Sequence, residues 1–525
     1  MAEPVATTTA GDVRGKQLPE GVVRFTGIPY AAPPIGDRRF RPPEPPSPWP
    51  WVRDATSFGP SAPQNSSATE LLMAAGKDRP TSEACLTLNL WTPAVDGGRR
   101  PVLVWLHGGS FATGSGGVPW YHGTRLVNRG DVVVVTMNYR LGALGFLHLA
   151  DLLGERFASS GNLGLLDQIA ALDWVRDNID GFGGDPERVT VFGESAGGMS
   201  VATLLGMPAA RGRFHRAIAQ SGAGHHVSTA DRGTRVAEAV LAELGVAAAD
   251  RDRDRGRAAA ALLDAPVERL LAAQDAVSMA MTAAALAQKV PAAEAGALPF
   301  QPVVDGTTLP RRPVEAVADG AAAGIPLIAG TTAEEWRIFQ LMSQSRIDDD
   351  RLRRAATWLV GPERAEEVID TYRRARPGRG AEDLWVALST DRVFRIPAVR
   401  LAEAHARAAA NPSTYLYEFG FKSTAFGGAL GASHVVDVPF VFDNLDQSGV
   451  DLFLGPLDGA AHRLAAATSG AWLAFARSGR PGHEGLPDWA PYTPERRATM
   501  VLAADGCQLV DDPRAAERAL WDAAS

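Results

Sequence analysis

Four short apolar runs, each bounded by polar or turn-forming positions, stand out along the chain: Leu86–Trp91, Pro101–Leu106, Asp131–Met137 and Val189–Phe192. The last three are close to continuous, as strands covered on both faces tend to be. Between the third and fourth, Leu163, Leu166, Ile169, Ala170, Leu172, Trp174 and Ile179 recur at helical spacing and predict a helix within 162–181. Strand, helix, strand in that order predicts a parallel crossover. Ile325–Gly330 and Thr414–Phe419 predict further strands. The intervening stretch 224–299, rich in Ala, Arg and Asp with helical periodicity, predicts a helical insertion over one end of the sheet. Residues 1–64 read as an extended, packed arm with a short strand at Val22–Phe25, and its Pro-rich run 41–50 is barred from helix and central strand alike.

Composition narrows the class. With 46% apolar and 21% charged residues in 525, the chain is globular, and about 150 residues per domain allows three or four domains as an upper figure. No run approaches the roughly 18 apolar residues of a membrane span; Asp131–Thr136 and Ala280–Leu286 come nearest. Met1 to Asp12 lacks the basic and apolar segments of a secretory signal, and two cysteines, Cys85 and Cys507, are too few for a disulfide framework, so a cytoplasmic protein is expected. The formal charge is 52 − 60 = −8 without a basic block, which argues against a nucleic-acid partner. Asp250, Asp252 and Asp254 hint at a calcium loop, but Arg255 stands where the turn glycine belongs and Ala261 where the bidentate acid belongs; the segment reads as a solvated linker and no metal is expected.

Gly193-Glu-Ser-Ala-Gly197 follows the strand at 188–192 and opens an Ala/Gly/Met-rich helix, the context of a nucleophile elbow carrying Ser195. His107-Gly-Gly-Ser-Phe111 follows the strand ending at Leu106. There the N–H groups of Gly109 and Ser110, with that of Ala196, can form a three-donor oxyanion hole. No phosphate-loop spacing fits 108–117. An activated serine needs a base and an orienting acid, in the order serine, acid, histidine. Of ten histidines, His405, His434, His462 and His483 come late enough. His405 and His462 fall in helical patterns and are expected at the surface, whereas His434 sits in the glycine-rich loop 427–434 beyond a strand. For the acid, Glu334 and Glu335 both follow the strand at 325–330, and periodicity does not choose between them.

These motifs resemble the type B carboxylesterases, the group that includes the cholinesterases. The resemblance runs from Gly27-Ile-Pro-Tyr-Ala to about Trp489. It is most specific in Glu83-Ala-Cys-Leu-Thr-Leu-Asn-Leu, Gly161-Asn-Leu-Gly-Leu-Leu-Asp-Gln, Phe182-Gly-Gly-Asp-Pro and Phe192-Gly-Glu-Ser-Ala-Gly-Gly. It implies a single α/β-hydrolase domain over 1–525, with a mostly parallel central sheet flanked by helices and the insertion 224–299 over the active site. By position it implies Ser195 as nucleophile, Glu335 as acid, His434 as base, Gly109, Ser110 and Ala196 as oxyanion hole, and Glu194 and Ser221 as supporting residues. Phe111, Trp336, Ile338, Phe339 and Phe394 are implied as pocket walls. Two departures stand out. Ala84 and Ala62 occupy positions where relatives usually carry an acid and, in secreted members, the disulfide partner of Cys85, so that bridge is absent; and Trp336 follows the acid where many relatives have glycine.

The expected activity is hydrolysis of small carboxylic esters through an acyl-enzyme, without a cofactor. The same triad also serves carbamates, amides and polyester-derived oligomers, and the family contains non-catalytic members that have lost the serine. With aromatics at 7% and no comparable aromatic gorge, cholinesterase activity is not expected. The sequence carries no signal for oligomeric state, acyl chain length or alcohol.

Overall fold

A computed structural model describes residues 3–66, 80–246, 255–287, 298–408 and 413–522. The apolar runs are strands of one eleven-stranded sheet. In chain order these are β1 (Lys16–Gln17), β2 (Val23–Pro29), β3 (Thr87–Thr92), β4 (Arg100–Leu106), β5 (Val133–Met137), β6 (Gly184–Glu194), β7 (Arg216–Gln220), β8 (Leu327–Thr332), β9 (Thr414–Phe419), β10 (Ala498–Leu502) and β11 (Gln508–Asp511). Their spatial order is β11-β10-β9-β8-β7-β6-β4-β5-β3-β2-β1. From β5 to β10 every pairing is parallel, and only the two edges are antiparallel. Every residue of β5 and β8 is buried, which is why these segments lack the alternation of a half-exposed strand. The arm is more structured than its Pro/Gly content predicts. Besides β1 and β2 it contributes Val5–Thr8, Gly11–Arg14 and Arg53–Asp54 to a separate three-stranded sheet, while 41–50 forms neither helix nor strand.

The helices that matter for the site are α1 (Leu163–Asn178), α2 (Ala196–Gly206), α3 (Ala230–Glu243), α4 (Arg255–Leu263), α5 (Val267–Leu286), α6 (Arg337–Ser343), α7 (Pro362–Ala375), α8 (Ala381–Thr390), α9 (Ile396–Ala408), α10 (Gly459–Ser478) and α11 (Ala515–Asp522). The described part of 224–299 carries α3, α4 and α5. Gln274 of α5 accepts the Ala143 N–H at 2.9 Å, fixing the insertion beside Phe111, whose carbonyl takes the Gly142 N–H at 2.6 Å. The aspartates at 250, 252 and 254 lie outside the described residues. Two large apolar clusters sandwich the sheet, one holding Phe25, Val104 and Leu172, the other Trp105, Phe440 and Trp472. Burial of that much apolar surface is the main stabilising term for a fold of this kind.

One sequence expectation is overturned. His405 is fully buried, not at the surface, with Nδ1 2.7 Å from Thr414 Oγ1 and Nε2 2.9 Å from the Ile325 carbonyl oxygen. It lies on the stripe Ala398, Leu401, Ala402, His405, the inward face of α9, and satisfied polar partners make that position tolerable. His462, by contrast, is exposed.

Candidate active site

The site gathers at the C-terminal ends of β4, β6, β7 and β8 and in the loop after β9. Ser195 is the single residue between β6 and α2, with φ 57° and ψ −124°, a conformation side chains rarely adopt. Glycine on both sides makes the turn possible. A Cβ on Gly193 would come 2.6 Å from the Leu106 carbonyl oxygen, and one on Gly197 would collide with the same atom. The Ser195 N–H donates to the Gln220 carbonyl at 3.0 Å, tying the turn to β7. Ser195 itself is half-buried while its neighbours are buried.

The loop after β4 lies directly against this turn: a Cβ on Gly108 would be 3.1 Å from that of Ser195. Gly109, Ser110 and Phe111 all have positive φ, at 117°, 55° and 57°. Among the described residues, no acceptor takes the N–H of Gly109, Ser110 or Ala196. The first two sit in a loop folded back on itself, with the Gly109 carbonyl taking the Ala112 and Thr113 N–H groups; the third is in the first turn of α2, where N–H groups lack helical partners. The loop is braced from behind by Tyr139, whose hydroxyl donates to the His107 carbonyl at 2.7 Å and whose ring stacks on His107 at 4.4 Å. Burial pushes the His107 imidazole down to about 4.

His434 Nδ1 lies 2.5 Å from Glu335 Oε2, both groups being buried. Glu335 is aimed by the Thr332 N–H, which donates to its Oε1 at 2.7 Å. Its neighbour Glu334 faces the other way. It accepts the Ala432 N–H at 3.0 Å and pairs with Arg337 at 2.5 Å, so one glutamate holds the histidine ring and the other holds the loop. Val435, a β-branched residue, follows at φ 75°, a strained turn that helps to present the ring.

Nε2 of His434 lies 3.2 Å from Glu194 Oε1. Burial opposes charging this ring, but Glu194 and Glu335 outweigh it and lift His434 to about 9. Burial raises Glu194 to about 8, with His434 pulling it down and Asp437 and Glu335 pushing it further up. Asp437, which the sequence reading did not single out, is a third buried carboxyl here. It is raised to about 6 by burial first and Glu335 second, and its Oδ2 accepts from Gln220 Nε2 at 3.0 Å and from the Tyr417 hydroxyl at 3.2 Å. No helical spacing marked it, since 434–437 is a turn with Val435 at φ 75°. Ser221, at φ 49°, is tied by its N–H to the Gly330 carbonyl at 2.8 Å; its buried hydroxyl has no hydrogen-bond partner among the described residues, and Glu194 Oε1 has none besides its ion-pair contact with His434.

Aromatic rings cover the imidazole. Phe394 and Phe339 lie 4.8 and 5.4 Å from His434, and Trp336 lies 5.0 Å from Phe339. Phe111 is buried on the loop after β4, 4.9 Å from Phe146. Ile338 does not join this group: it is buried in the second apolar cluster with Tyr417 and Phe440. Cys85 and Cys507 are both free, and burial pushes the Cys85 thiol up to about 12.

The sequence model of the carboxylesterase family matches residues 2–521. The para-nitrobenzyl esterase of Bacillus subtilis (strain 168) is 38% identical over 99% of this chain and 98% of its own length. The phenmedipham hydrolase of Pseudarthrobacter oxydans is 37% identical over 98% and 97%. Among solved structures, a Geobacillus stearothermophilus carboxylesterase superposes with a TM-score of 0.81 at 41% identity, covering 98% of this chain and 99% of that one.

Proposed function

The chain belongs to the carboxylesterase family and is a carboxylic ester hydrolase of the α/β-hydrolase fold, and from that premise we propose that Ser195, His434 and Glu335 are its catalytic triad. The observation that carries this reading is the 2.5 Å contact of His434 Nδ1 with Glu335, while Nε2 of the same ring lies 3.2 Å from Glu194, the residue before a serine held at φ 57° on the β6–α2 turn. In the proposed cycle His434 Nε2 takes the proton of Ser195 Oγ as the oxygen attacks the ester carbonyl. Glu335 fixes the tautomer and stabilises the imidazolium without taking the proton. The free N–H groups of Gly109, Ser110 and Ala196 receive the oxyanion, the alcohol leaves with the proton His434 returns, and water repeats the sequence on the acyl-enzyme. No cofactor enters.

In this reading Glu194 and Ser221 support the triad, and Phe111, Trp336, Phe339 and Phe394 wall the substrate pocket, with the insertion 224–299 over it. A small neutral ester with an apolar acyl or alcohol group fits such a wall best, and a formal charge of −8 without a basic block in the sequence speaks against a nucleic-acid partner. Among the described residues no helix is long and apolar enough to cross a membrane; residence in a reducing compartment, the cytoplasm, is part of the proposal and is supported by the two unpaired cysteines. The test is rapid mixing with p-nitrophenyl acetate. A burst of nitrophenol equal to the enzyme concentration, lost in Ser195→Ala, is expected; turnover by Ser195→Ala within tenfold of the parent overturns the assignment.

A further inference from the structure

A cavity of about 150 Å³ opens behind the loop that carries His434, lined by Glu334, Arg337, Arg376, Arg379 and Asp383. Three guanidinium groups line it together with two carboxylates, and a third carboxylate, Glu517, pairs with Arg376 from outside the cavity. Both lining carboxylates are already engaged: Glu334 with Arg337 and the Ala432 N–H, Asp383 with Arg337 at 2.9 Å and Arg379 at 3.7 Å. What remains over is donor capacity. Arg379 is largely exposed and reaches Asp383 only beyond hydrogen-bond distance, while Arg376, paired with Glu517 of α11, is set beside it by a turn in which the Arg379 N–H donates to the Arg376 carbonyl at 3.2 Å. A pocket whose acceptors are saturated and whose guanidinium donors are not is complementary to an anion, and the planar fork of arginine matches oxygen pairs on carboxylate or phosphate. The volume admits such an ion together with water.

We propose that this cavity is a binding site for a small oxyanion, a phosphate or a carboxylate, held by Arg337, Arg376 and Arg379. Arg337 also grips Glu334, and Glu334 holds Ala432, two residues before His434. An anion that draws on Arg337 loosens Glu334 and changes how firmly the histidine loop is held; this coupling rests on the reading of His434 as base, whereas the binding does not.

Calorimetric titration of the whole protein with inorganic phosphate and with succinate, against chloride at matched ionic strength, tests the site. Saturable binding of one or both oxyanions and not of chloride is expected, and the tighter of the two identifies the source. Arg379→Gln should weaken it at least tenfold and Arg379→Glu should abolish it, with unchanged thermal melting in the absence of anion. Arg353→Gln, which removes the same charge from an exposed helix elsewhere, should bind like the parent. No saturable binding, equal binding of chloride, or an equal loss in Arg353→Gln overturns the site. Separately, kcat on p-nitrophenyl acetate should respond to the bound oxyanion in the parent and not in Arg379→Glu; binding without any change in kcat overturns the coupling and leaves the triad reading untouched.

Discussion

Glu334 and Glu335, adjacent in the chain, hold the two halves of one feature: Glu334 accepts the Ala432 N–H at 3.0 Å, and Glu335 meets the ring of His434 at 2.5 Å. Because strand β8 ends just before them, the chain turns and their side chains diverge, one to the loop backbone and one to the imidazole. The two substitutions therefore have different signatures. Glu335→Gln removes the charge that stabilises the imidazolium and should lower kcat by about 10³–10⁴-fold. Glu334→Gln keeps an acceptor oxygen for Ala432 and should cost less than about tenfold, while Glu334→Ala, which frees the loop, should cost more than Glu334→Gln. Steady-state kinetics on p-nitrophenyl acetate decide. If Glu334→Gln proved the more damaging, the assignment of the acid would be off by one residue.

In the proposed triad Ser195 and His434 act as a unit, so their losses do not add. Ser195→Ala and His434→Ala should each abolish nearly all turnover, and the double variant should be no slower than the worse single one. Circular dichroism should show all three folded, since neither side chain fills a large part of the core.

The pH profile should follow the pair Glu194 and His434, which titrate together across 3.2 Å. The carboxylates hold the proton on His434 up to about 9, so the neutral base is gained as pH rises and lost as it falls. Glu194→Gln removes the largest of the favourable charges. The imidazole then gives up its proton at lower pH, and the acid limb of kcat/KM should move down by roughly one unit or more. Asp437→Asn should move it in the same direction by less, because Asp437 contributes less than either glutamate. An unmoved limb in Glu194→Gln would mean that another group governs it.

How far the site could be read from the sequence follows from how local each part is. The elbow and the loop after β4 are legible because their requirement is written in adjacent glycines: Gly197 cannot carry a Cβ without striking the Leu106 carbonyl. Gly197→Ala should accordingly destabilise the fold by at least roughly 1–3 kcal/mol, measurable by urea unfolding. His434, the proposed base, is singled out in the sequence by its glycine loop, and the strands were legible from their continuous apolar runs. The choice between Glu334 and Glu335 was not, since it depends on which way the chain turns after β8, and it needed the family resemblance. Asp437 and Gln220 escaped because their meeting joins positions 217 residues apart, which no local pattern marks. His405 was misread because membership of a helix was taken for exposure, when Leu401 and Ala402 beside it mark the buried stripe.

Trp336 decides the last question, the shape of the acyl pocket. Its N–H donates to Thr390 Oγ1 at 3.1 Å, anchoring the start of α6 to α8, and its ring packs on Phe339, which in turn lies against His434. Glu335 beside it is fully buried and is held by Thr332 and His434, not by the indole. In the proposed reading the ring is therefore a panel of the aromatic wall of the pocket and not a shield over the acid. Trp336→Gly removes one panel of that wall while leaving the contacts of Glu335 in place. Across p-nitrophenyl esters of two to twelve acyl carbons, kcat/KM should shift toward longer or bulkier chains by about 1–3 kcal/mol of discrimination, the range a hydrophobic pocket usually supplies. The pH profile should stay where it is, because the charges around His434 are untouched. A uniform fall in turnover with a displaced profile would instead show that the indole protects Glu335, and an unchanged chain-length preference with unchanged turnover would show that it only packs.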